Sequence, residues 1–206
     1  MRPPPCAVLA VCVCALILSA PRPASAQAPA ASAPTAAELS ARVETDDGAF
    51  VIRLRPDLAP RHVRHFIKVA RAGGFDGTVF HRIVPRGIIQ GGDPLSRDPK
   101  KKALYGTGGL GLLKAEFSAQ PMARGAVAAV LRPSSHDSAG NQFFICLSDL
   151  PALTGKFTIF GEVSSGMEAV DAIGARPVVG DRAAERIVIR KVTIVEASAS
   201  PAAVAP

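Results

Sequence analysis

The chain has 206 residues, of which 24 are basic and 17 acidic, giving a formal net charge of +7. Hydrophobic residues make up 48 % and charged residues 20 % of the total. This composition excludes a wholly disordered or collagen-like chain, and the length fits one ordinary domain better than two small ones.

The first 26 residues have the pattern of a secretory signal. Arg2 gives a positive start, an apolar run follows from Cys6 to Ala20, and Ala24-Ser25-Ala26 matches an A-x-A cleavage site. The run is too short to span a bilayer comfortably. We therefore expect an exported protein, periplasmic or secreted, that begins near Gln27 after cleavage and has no stable membrane insertion.

Charge and cysteine content narrow the partners of the processed chain. Loss of Arg2 and Arg22 leaves 22 basic against 17 acidic residues, an excess too small to indicate a nucleic-acid partner. The basic cluster Lys100-Lys101-Lys102 beside Arg97 favours a solvated loop over an anion-binding patch. Cys146 is then the single cysteine, which excludes an intramolecular disulfide. We expect a monomer stabilised by core burial.

Two segments of biased composition flank the folded part. Residues 27–37 are rich in Ala and Pro and carry no charge, which is typical of a disordered linker. The tail at 197–206 has the same character. The sequence therefore predicts a signal peptide at 1–26, a linker at 27–37, one domain at 38–196 and a disordered tail at 197–206.

Short strands dominate the predicted elements of the domain. A hairpin is predicted over 42–54, because the turn signal Asp46-Asp47-Gly48 separates two strand-like runs. Pro60 begins a helix that ends at Gly73-Gly74, and a second helix is predicted over 167–173. Further strands are predicted over 78–84, 88–90, 126–131, 142–147, 157–163 and 187–195. Many short strands with two helices favour an antiparallel barrel or sandwich.

Four patterns resemble other chemistries, and each has a simpler interpretation. His62 and His65 have a spacing that metal sites use, but no acid or Cys completes a site, which favours surface histidines. Cys146 lies in an apolar strand and is expected to be a packed thiol. The consecutive triad residue types at 135–138 indicate only a polar loop. The glycines at 106–111 lack a following Lys-Ser/Thr pair, which favours a pliable surface loop over a phosphate site.

One constellation of polar residues stands among apolar neighbours. Arg82 and Gln90 are separated by a predicted hairpin, so both side chains can project onto one face. Gln142 and Phe144 lie two apart on one side of a strand, and a third apolar stretch follows at 153–163. Together they predict an apolar pocket wall with one cation and two amides. The alternative for Arg82 is an ordinary surface ion pair with an acid.

At this point the sequence resembles the cyclophilins, which are peptidyl-prolyl cis-trans isomerases. FHRIVP…QGGD begins at Phe80, and the GTGG run, AGNQFFI from Ala139 and TGK…FG from Thr154 follow in the family's order and spacing. The resemblance covers nearly all of 40–196. It implies a mainly β fold, a closed eight-stranded antiparallel barrel capped by two helices, with no cofactor or metal. It also implies that the substrates are X-Pro bonds of unfolded or partly folded polypeptides, and the signal pattern at 1–26 places these in the cell envelope.

The resemblance also assigns roles to individual residues. Arg82 matches the catalytic arginine, and Gln90 matches the glutamine that orients it. The matching substrate-binding residues are His81, Ile88, Gln142, Phe144, Leu153 and Phe157. A guanidinium near the proline nitrogen and the adjacent carbonyl stabilises the twisted transition state, so no nucleophile is needed.

The chain departs from the family pattern around the proline pocket. Gly87 stands where many members have Phe, Ile88 where they have Met, and Ala152 where eukaryotic members have Trp. The stretch 128–132 lacks an amide that contacts substrate backbone, and 95–104 resembles an insertion. We expect a high KM for short peptides and altered cyclosporin binding, unless the aliphatic stem of the neighbouring arginine fills the gap. The alternative function is a peptide-binding or chaperone-like module of the same fold with low turnover.

Overall fold

The computed structural model describes residues 39–196, and the predicted signal, linker and tail lie outside this range. This part of the chain forms ten strands and two α-helices in the order β1 Leu39–Thr45, β2 Gly48–Leu54, α1 Pro60–Arg71, β3 Arg82–Val84, β4 Ile88–Gly91, β5 Ala126–Ala129, β6 Phe143–Cys146, β7 Ile159–Ser165, α2 Met167–Gly174, β8 Val178–Val179, β9 Arg182–Ala183 and β10 Ile189–Glu196. Short 3₁₀ turns lie at Pro94–Arg97, Pro99–Leu104 and Pro151–Leu153. None of the described helices is long and apolar enough to cross a bilayer.

All ten strands belong to one antiparallel sheet in the order β10-β1-β2-β7-β5-β6-β4-β3-β9-β8. The expected number of eight is corrected to ten, and the described strands do not pair into a closed barrel. An isolated bridge joins Val79 to Val188 near the two ends of the order. The additional strands are the two-residue β8 and β9, whose hairpin pairs with β3 through Arg82 and Arg182. A ribbon this short carries too little hydrophobic alternation to be recognised in a sequence.

The first and last strands bring the two ends of the domain together. β1 pairs with β10 so that Leu39 lies opposite Glu196. Ala41 and Val43 of β1 are fully buried, because alternate residues of a strand face the same side of the sheet. The alternating pattern that predicts the β1–β2 hairpin therefore also determines which face of this pair joins the core.

Aromatic rings fill the space between α1 and the sheet. Phe66 of α1 packs against Phe75, Phe143 and Phe160, with ring centroids 4.8 to 5.9 Å apart. Phe80 joins them through an edge contact with Phe143 at 6.0 Å. Such contacts add to the burial free energy of each ring, so this cluster supports β6, β7 and the segment that leads into β3.

A distant carboxylate caps the N-terminus of α1. Ala59 at the N-cap position offers no side-chain acceptor. Instead Glu116 accepts hydrogen bonds from the backbone N–H groups of Arg61 and His62, at 3.1 and 3.0 Å, and contacts His62 Nδ1 at 2.6 Å. His62 is 3 % exposed, so the expectation of a surface histidine is wrong for this residue. Helix N-termini favour such anions because their first N–H groups lack intrahelical partners.

Burial and hydrogen bonding shift the pKa values of both His62 and Glu116 in this contact. Desolvation lowers the pKa of His62 despite the opposing effect of Glu116, so the imidazole is kept neutral. The pKa of Glu116 is also lowered: desolvation is the largest single contribution and raises it, but the hydrogen bonds from His62 and Arg61 together outweigh it. The carboxylate is thus held ionised beside a neutral ring.

Candidate active site

The β3–β4 hairpin fixes the geometry of the polar constellation. Pro85 and Arg86 form its turn, Gly87 N–H donates to Val84 O at 2.8 Å, and Arg86 has a φ of 58°. A Pro followed by a residue with positive φ is the pattern of a type II turn, in which Gly is the usual second residue. Because the turn sets the register, Arg82 lies directly opposite Gln90.

Three neighbouring strands place three predicted site residues in one row. Arg82 of β3 pairs with Gln90 of β4, and Gln90 pairs in turn with Phe144 of β6. Residues directly opposite in antiparallel strands project from the same face of the sheet. The prediction that Arg82 and Gln90 share a face is therefore confirmed by the register, which places Phe144 on that face as well.

A chain of hydrogen bonds determines the orientation of the two amides. Gln142 Nε2 donates to Gly108 O at 2.7 Å, and Gln142 Oε1 accepts from Gln90 Nε2 at 3.0 Å. Gln90 Oε1 then faces Arg82 Nη1 at 3.4 Å. Because a backbone carbonyl can only accept, it forces the orientation of both amides. Gln142 is 1 % exposed and lies behind Gln90, so it supports the site from within instead of lining its surface.

The glycine run lies at the surface, as expected, and also takes part in this chain of hydrogen bonds. Fully buried Asp93 accepts hydrogen bonds from the N–H groups of Gly106 and Gly108 at 2.6 and 3.2 Å. A Cβ at Gly108 would lie 2.3 Å from Asp93 Oδ1, so only glycine fits there. The run is thus a packed support for Gln142.

Arg82 has a second partner that sequence reasoning missed. Its Nε donates to Asp181 Oδ2 at 2.6 Å, and this interaction lowers the pKa of the aspartate. Asp181 lies in the β8–β9 turn, and its own carbonyl accepts from Ile83 N–H at 2.9 Å. The surface ion pair considered for Arg82 is therefore present, but the same side chain also lines a groove. A lone acid 99 residues away gives no local signal.

Beside Arg82 lies an apolar groove of about 560 Å³, defined by Ile88, Val130, Leu131, Phe144, Leu150, Leu153 and Phe157. Phe144 and Phe157 meet edge to face, with centroids 5.2 Å apart and planes at 87°. Leu153 comes from a 3₁₀ turn between β6 and β7. The structure thus brings Ile88, Phe144, Leu153 and Phe157 together with Arg82 and Gln90 in one groove.

His81 is placed differently from the other predicted residues. It lines two neighbouring cavities and is 8 % exposed, with both ring nitrogens lacking a hydrogen-bond partner within residues 39–196. Desolvation lowers its pKa. His81 is therefore a neutral, buried ring behind Arg82, with its side chain outside the apolar groove.

The remaining candidate patterns form no reactive centre. Burial raises the pKa of Cys146 to about 12, as expected of a packed thiol. Ser138 Oγ donates to Ser135 O within its own loop, and Asp137 accepts from Ala115 N–H. Among residues 39–196 no group of three His, Cys, Asp or Glu side chains could hold a metal ion.

Comparison with known proteins identifies the family of this chain. Residues 40–194 match the family model of the cyclophilin type peptidyl-prolyl cis-trans isomerase/CLD. The chain belongs to the cyclophilin family. It is a cyclophilin-type peptidyl-prolyl cis-trans isomerase.

Relatives of this cyclophilin span bacteria and eukaryotes. It is 44 % identical over 132 residues to a probable peptidyl-prolyl cis-trans isomerase of Brucella suis, covering 62 % of this chain and 67 % of that one. Peptidyl-prolyl cis-trans isomerase B of Streptomyces anulatus is 37 % identical, with coverage of 77 % and 98 %. A Cryptosporidium parvum cyclophilin crystallised in the presence of the dipeptide Ala-Pro has a TM-score of 0.69 and 26 % identity, with coverage of 76 % and 99 %.

The departures expected around the proline pocket all lie at the surface of the groove or next to it. Gly87 and Ala152 line the groove, so neither Phe nor Trp contributes a ring there. Arg86 is exposed and does not line the groove, so its stem does not replace the missing ring. In this cyclophilin the groove therefore has no aromatic ring at position 87 or 152.

Residues 95–104, which resemble an insertion, form hydrogen bonds with the segment around β9. Asp93 and Asp98 cap the two 3₁₀ turns through their side chains. Arg186 donates to Ser96 O and to the Tyr105 hydroxyl, at 3.0 and 2.8 Å. The three lysines at 100–102 are exposed, as expected of a solvated segment.

Proposed function

We propose that this cyclophilin catalyses X-Pro isomerisation with Arg82 as the catalytic residue and with Gln90, Gln142 and Asp181 as the groups that position it. The observation that supports the proposal is the place of Arg82 at the edge of the apolar groove, in register with Gln90 and Phe144. Nε is engaged by Asp181 and Nη1 by Gln90. Nη2 forms no hydrogen bond within residues 39–196, so its N–H groups are available to a substrate.

The reaction asks for electrostatic stabilisation alone. Amide resonance gives the X-Pro bond a barrier of roughly 18–20 kcal/mol. At the twisted transition state the proline nitrogen regains a lone pair, and a guanidinium beside the nitrogen and the adjacent carbonyl stabilises that state more than the planar amide. A thousandfold acceleration corresponds to about 4 kcal/mol, which one charge-assisted contact plus restraint of the substrate can supply.

The apolar groove holds the proline ring while the bond rotates. Phe144, Leu153 and Phe157 offer apolar contacts next to the cation, and Ile88 forms the adjacent wall. When the proline ring is held in the groove, the residue before the proline is the part that rotates about the X–Pro bond. His81 is buried next to Arg82 and adds no charge beside the guanidinium, since desolvation lowers the pKa of its ring.

Arg82→Ala tests the proposal. We expect kcat/KM on a proline peptide to fall. The loss of transition-state stabilisation calculated from it should be about 2–4 kcal/mol, which is typical of one transition-state electrostatic group. Arg82→Lys should rescue poorly, because an ammonium cannot meet Asp181, Gln90 and substrate with one planar fork. If the unmodified protein, Arg82→Ala and Arg82→Lys all bound the peptide and all showed the same low turnover, the binding or chaperone module would be favoured instead.

We further propose that the isomerase is exported and acts on unfolded or partly folded proteins of the cell envelope. The pattern of residues 1–26 supports this location. N-terminal sequencing of the protein recovered from the envelope or medium should begin near Gln27. Recovery of a chain that still begins at Met1, in the cytoplasm alone, would contradict export.

A further inference from the structure

A second cavity, of about 810 Å³, lies on the other side of Arg82 from the apolar groove. The two share Arg82, Gln90, Val130 and Leu131 as lining residues. A substrate whose proline occupies the groove therefore has neighbouring residues within reach of this cavity, because both open onto the same two polar side chains. The second cavity is called the arginine cavity below.

Three arginines distinguish the arginine cavity from the groove. Arg82 is joined there by Arg132, from the loop after β5, and by Arg182 of β9. Arg132 Nη2 donates to Leu110 O at 3.4 Å, and Arg182 Nη1 donates to Lys102 O at 3.1 Å. Backbone carbonyls restrict the two guanidinium groups without cancelling their charge.

The charge of the arginine cavity is incompletely balanced. Asp181, its single acidic lining residue, already pairs with Arg82. Within residues 39–196 neither Arg132 nor Arg182 forms an ion pair with a carboxylate. His81 also lines the cavity and adds no charge, since burial favours its neutral form. Two of the three cations are thus left to attract an anion, and a concave wall concentrates their field.

We propose that the arginine cavity is a specificity subsite for an acidic side chain, Asp or Glu, within three residues of the substrate proline. This inference rests on the proposed function, because it requires the proline to occupy the neighbouring groove. A guanidinium binds a carboxylate through two parallel hydrogen bonds. A Gln or Lys side chain in the substrate, in place of Asp or Glu, cannot accept both of these bonds. Arg132 and Arg182 are the residues that determine the preference.

The test is a set of short proline peptides with no charged side chain other than the one varied. Glu, Gln or Lys is placed in turn at each of the three positions before and the three positions after the proline. At one or more positions we expect kcat/KM for Glu to exceed that for Gln by about fivefold, in line with exposed ion pairs, and Lys to fall below Gln. The preference should shrink in 1 M salt, which screens exposed charges.

Paired variants separate this subsite from the overall positive charge. In Arg132→Gln/Arg182→Gln the ratio of Glu to Gln rates should fall to within twofold. Arg64→Gln/Arg71→Gln, which removes two exposed cations from α1, should keep the ratio of the unmodified protein. A ratio near one at all six positions, or a ratio that survives in the first variant, overturns the proposal.

Binding of the same peptides, followed by fluorescence anisotropy, distinguishes failure of the subsite from failure of the proposed function. A Glu preference in affinity that disappears in Arg132→Gln/Arg182→Gln supports the subsite even where turnover is low. Equal affinities for Glu, Gln and Lys peptides, together with normal turnover, overturn the subsite and leave the isomerase mechanism intact.

Discussion

Arg82 is held along two edges of its guanidinium by groups of different kinds. Asp181 supplies a charged acceptor at Nε, and Gln90 supplies a neutral one at Nη1. The amide is fixed by Gln142 and the glycine run behind it, whereas Asp181 is fixed by the β8–β9 turn. Two independent supports therefore define the plane in which the remaining N–H groups meet the substrate.

Variants of Asp181 test its positioning role. Asp181→Ala should lower kcat/KM by about fivefold, mainly through kcat, because a misplaced catalytic group loses transition-state contacts first. Asp181→Asn keeps an acceptor for Nε and should remain within twofold of the unmodified protein. Steady-state kinetics on one neutral proline peptide measures both.

Glu185→Ala is the matched control for Asp181, since it removes an exposed carboxylate four residues away that pairs with Arg176. It should leave the kinetics unchanged. A rise in kcat for both Asp181→Ala and Asp181→Asn would contradict the positioning role and show that the aspartate merely weakens the field of Arg82.

Among the elements, the β3–β4 hairpin joins backbone strain to the shape of the groove. Arg86 occupies a left-handed conformation that favours glycine, and Gly87, beside it, exposes the groove where the family has an aromatic ring. The glycine thus stands one position after the residue whose positive φ would favour it. One turn therefore carries a backbone cost and also leaves the groove without an aromatic ring at position 87.

Exchange of these residues should narrow the groove. Arg86→Gly with Gly87→Phe should lower KM for a short peptide by about twentyfold, within the roughly 1.5–3 kcal/mol that burial of a large apolar side chain provides. A Cβ at position 87 would lie 3.0 Å from Val84 Cγ1, so Val84 must shift by a few tenths of an ångström. Separate determination of kcat and KM measures the change, and kcat should be little affected because Arg82 is untouched.

Arg86→Gly alone provides the control for this exchange. It should relieve the positive φ and raise the free energy of unfolding by about 1 kcal/mol while KM stays constant. An unchanged or higher KM in the double variant would mean that the missing aromatic ring is not what limits binding of short peptides.

How far the sequence predicts these features depends on the distance between the interacting residues. Arg82 and Gln90 could be placed on one face because eight residues and a proline turn separate them, and local rules determine such a hairpin. Asp181 and the Glu116–His62 contact could not, since no periodicity connects residues 54 to 99 positions apart. The β8–β9 hairpin could not be predicted either, because strands of two residues are too short to show a hydrophobic alternation. Main strands and both helices were predictable from their hydrophobic patterns.

At the scale of the whole molecule, the Glu116–His62 contact joins α1 to the segment before β5 and makes stability depend on pH. Folding lowers the pKa of His62 below its ordinary value of 6.5 and that of Glu116 below 4.5. For both groups the unfolded chain then binds the proton more readily, so acid favours unfolding. The contribution of His62 is complete above about pH 6.5 and is lost as pH falls through its folded value, and that of Glu116 is lost below pH 4.5.

Glu116→Ala should therefore lower the free energy of unfolding at pH 7 by about 1–3 kcal/mol, the combined range for a lost helix cap and an unsatisfied buried group. Urea unfolding at pH 7 and at pH 4 measures it, and the difference from the unmodified protein should be smaller at pH 4. Asp57→Ala, which removes an exposed partner of Arg55, is the control and should change stability by less than about 1 kcal/mol. An equal effect of Glu116→Ala at both pH values would contradict the assignment.

Pairing of the first and last strands has a topological consequence. Because Leu39 lies opposite Glu196, the chain enters and leaves the domain at adjacent backbone positions. A polypeptide that carries this domain inside a surface loop would keep the two ends of that loop only a strand spacing apart, roughly 5 Å. We therefore expect that the domain can be inserted into a surface loop of another protein without separating the two ends of that loop.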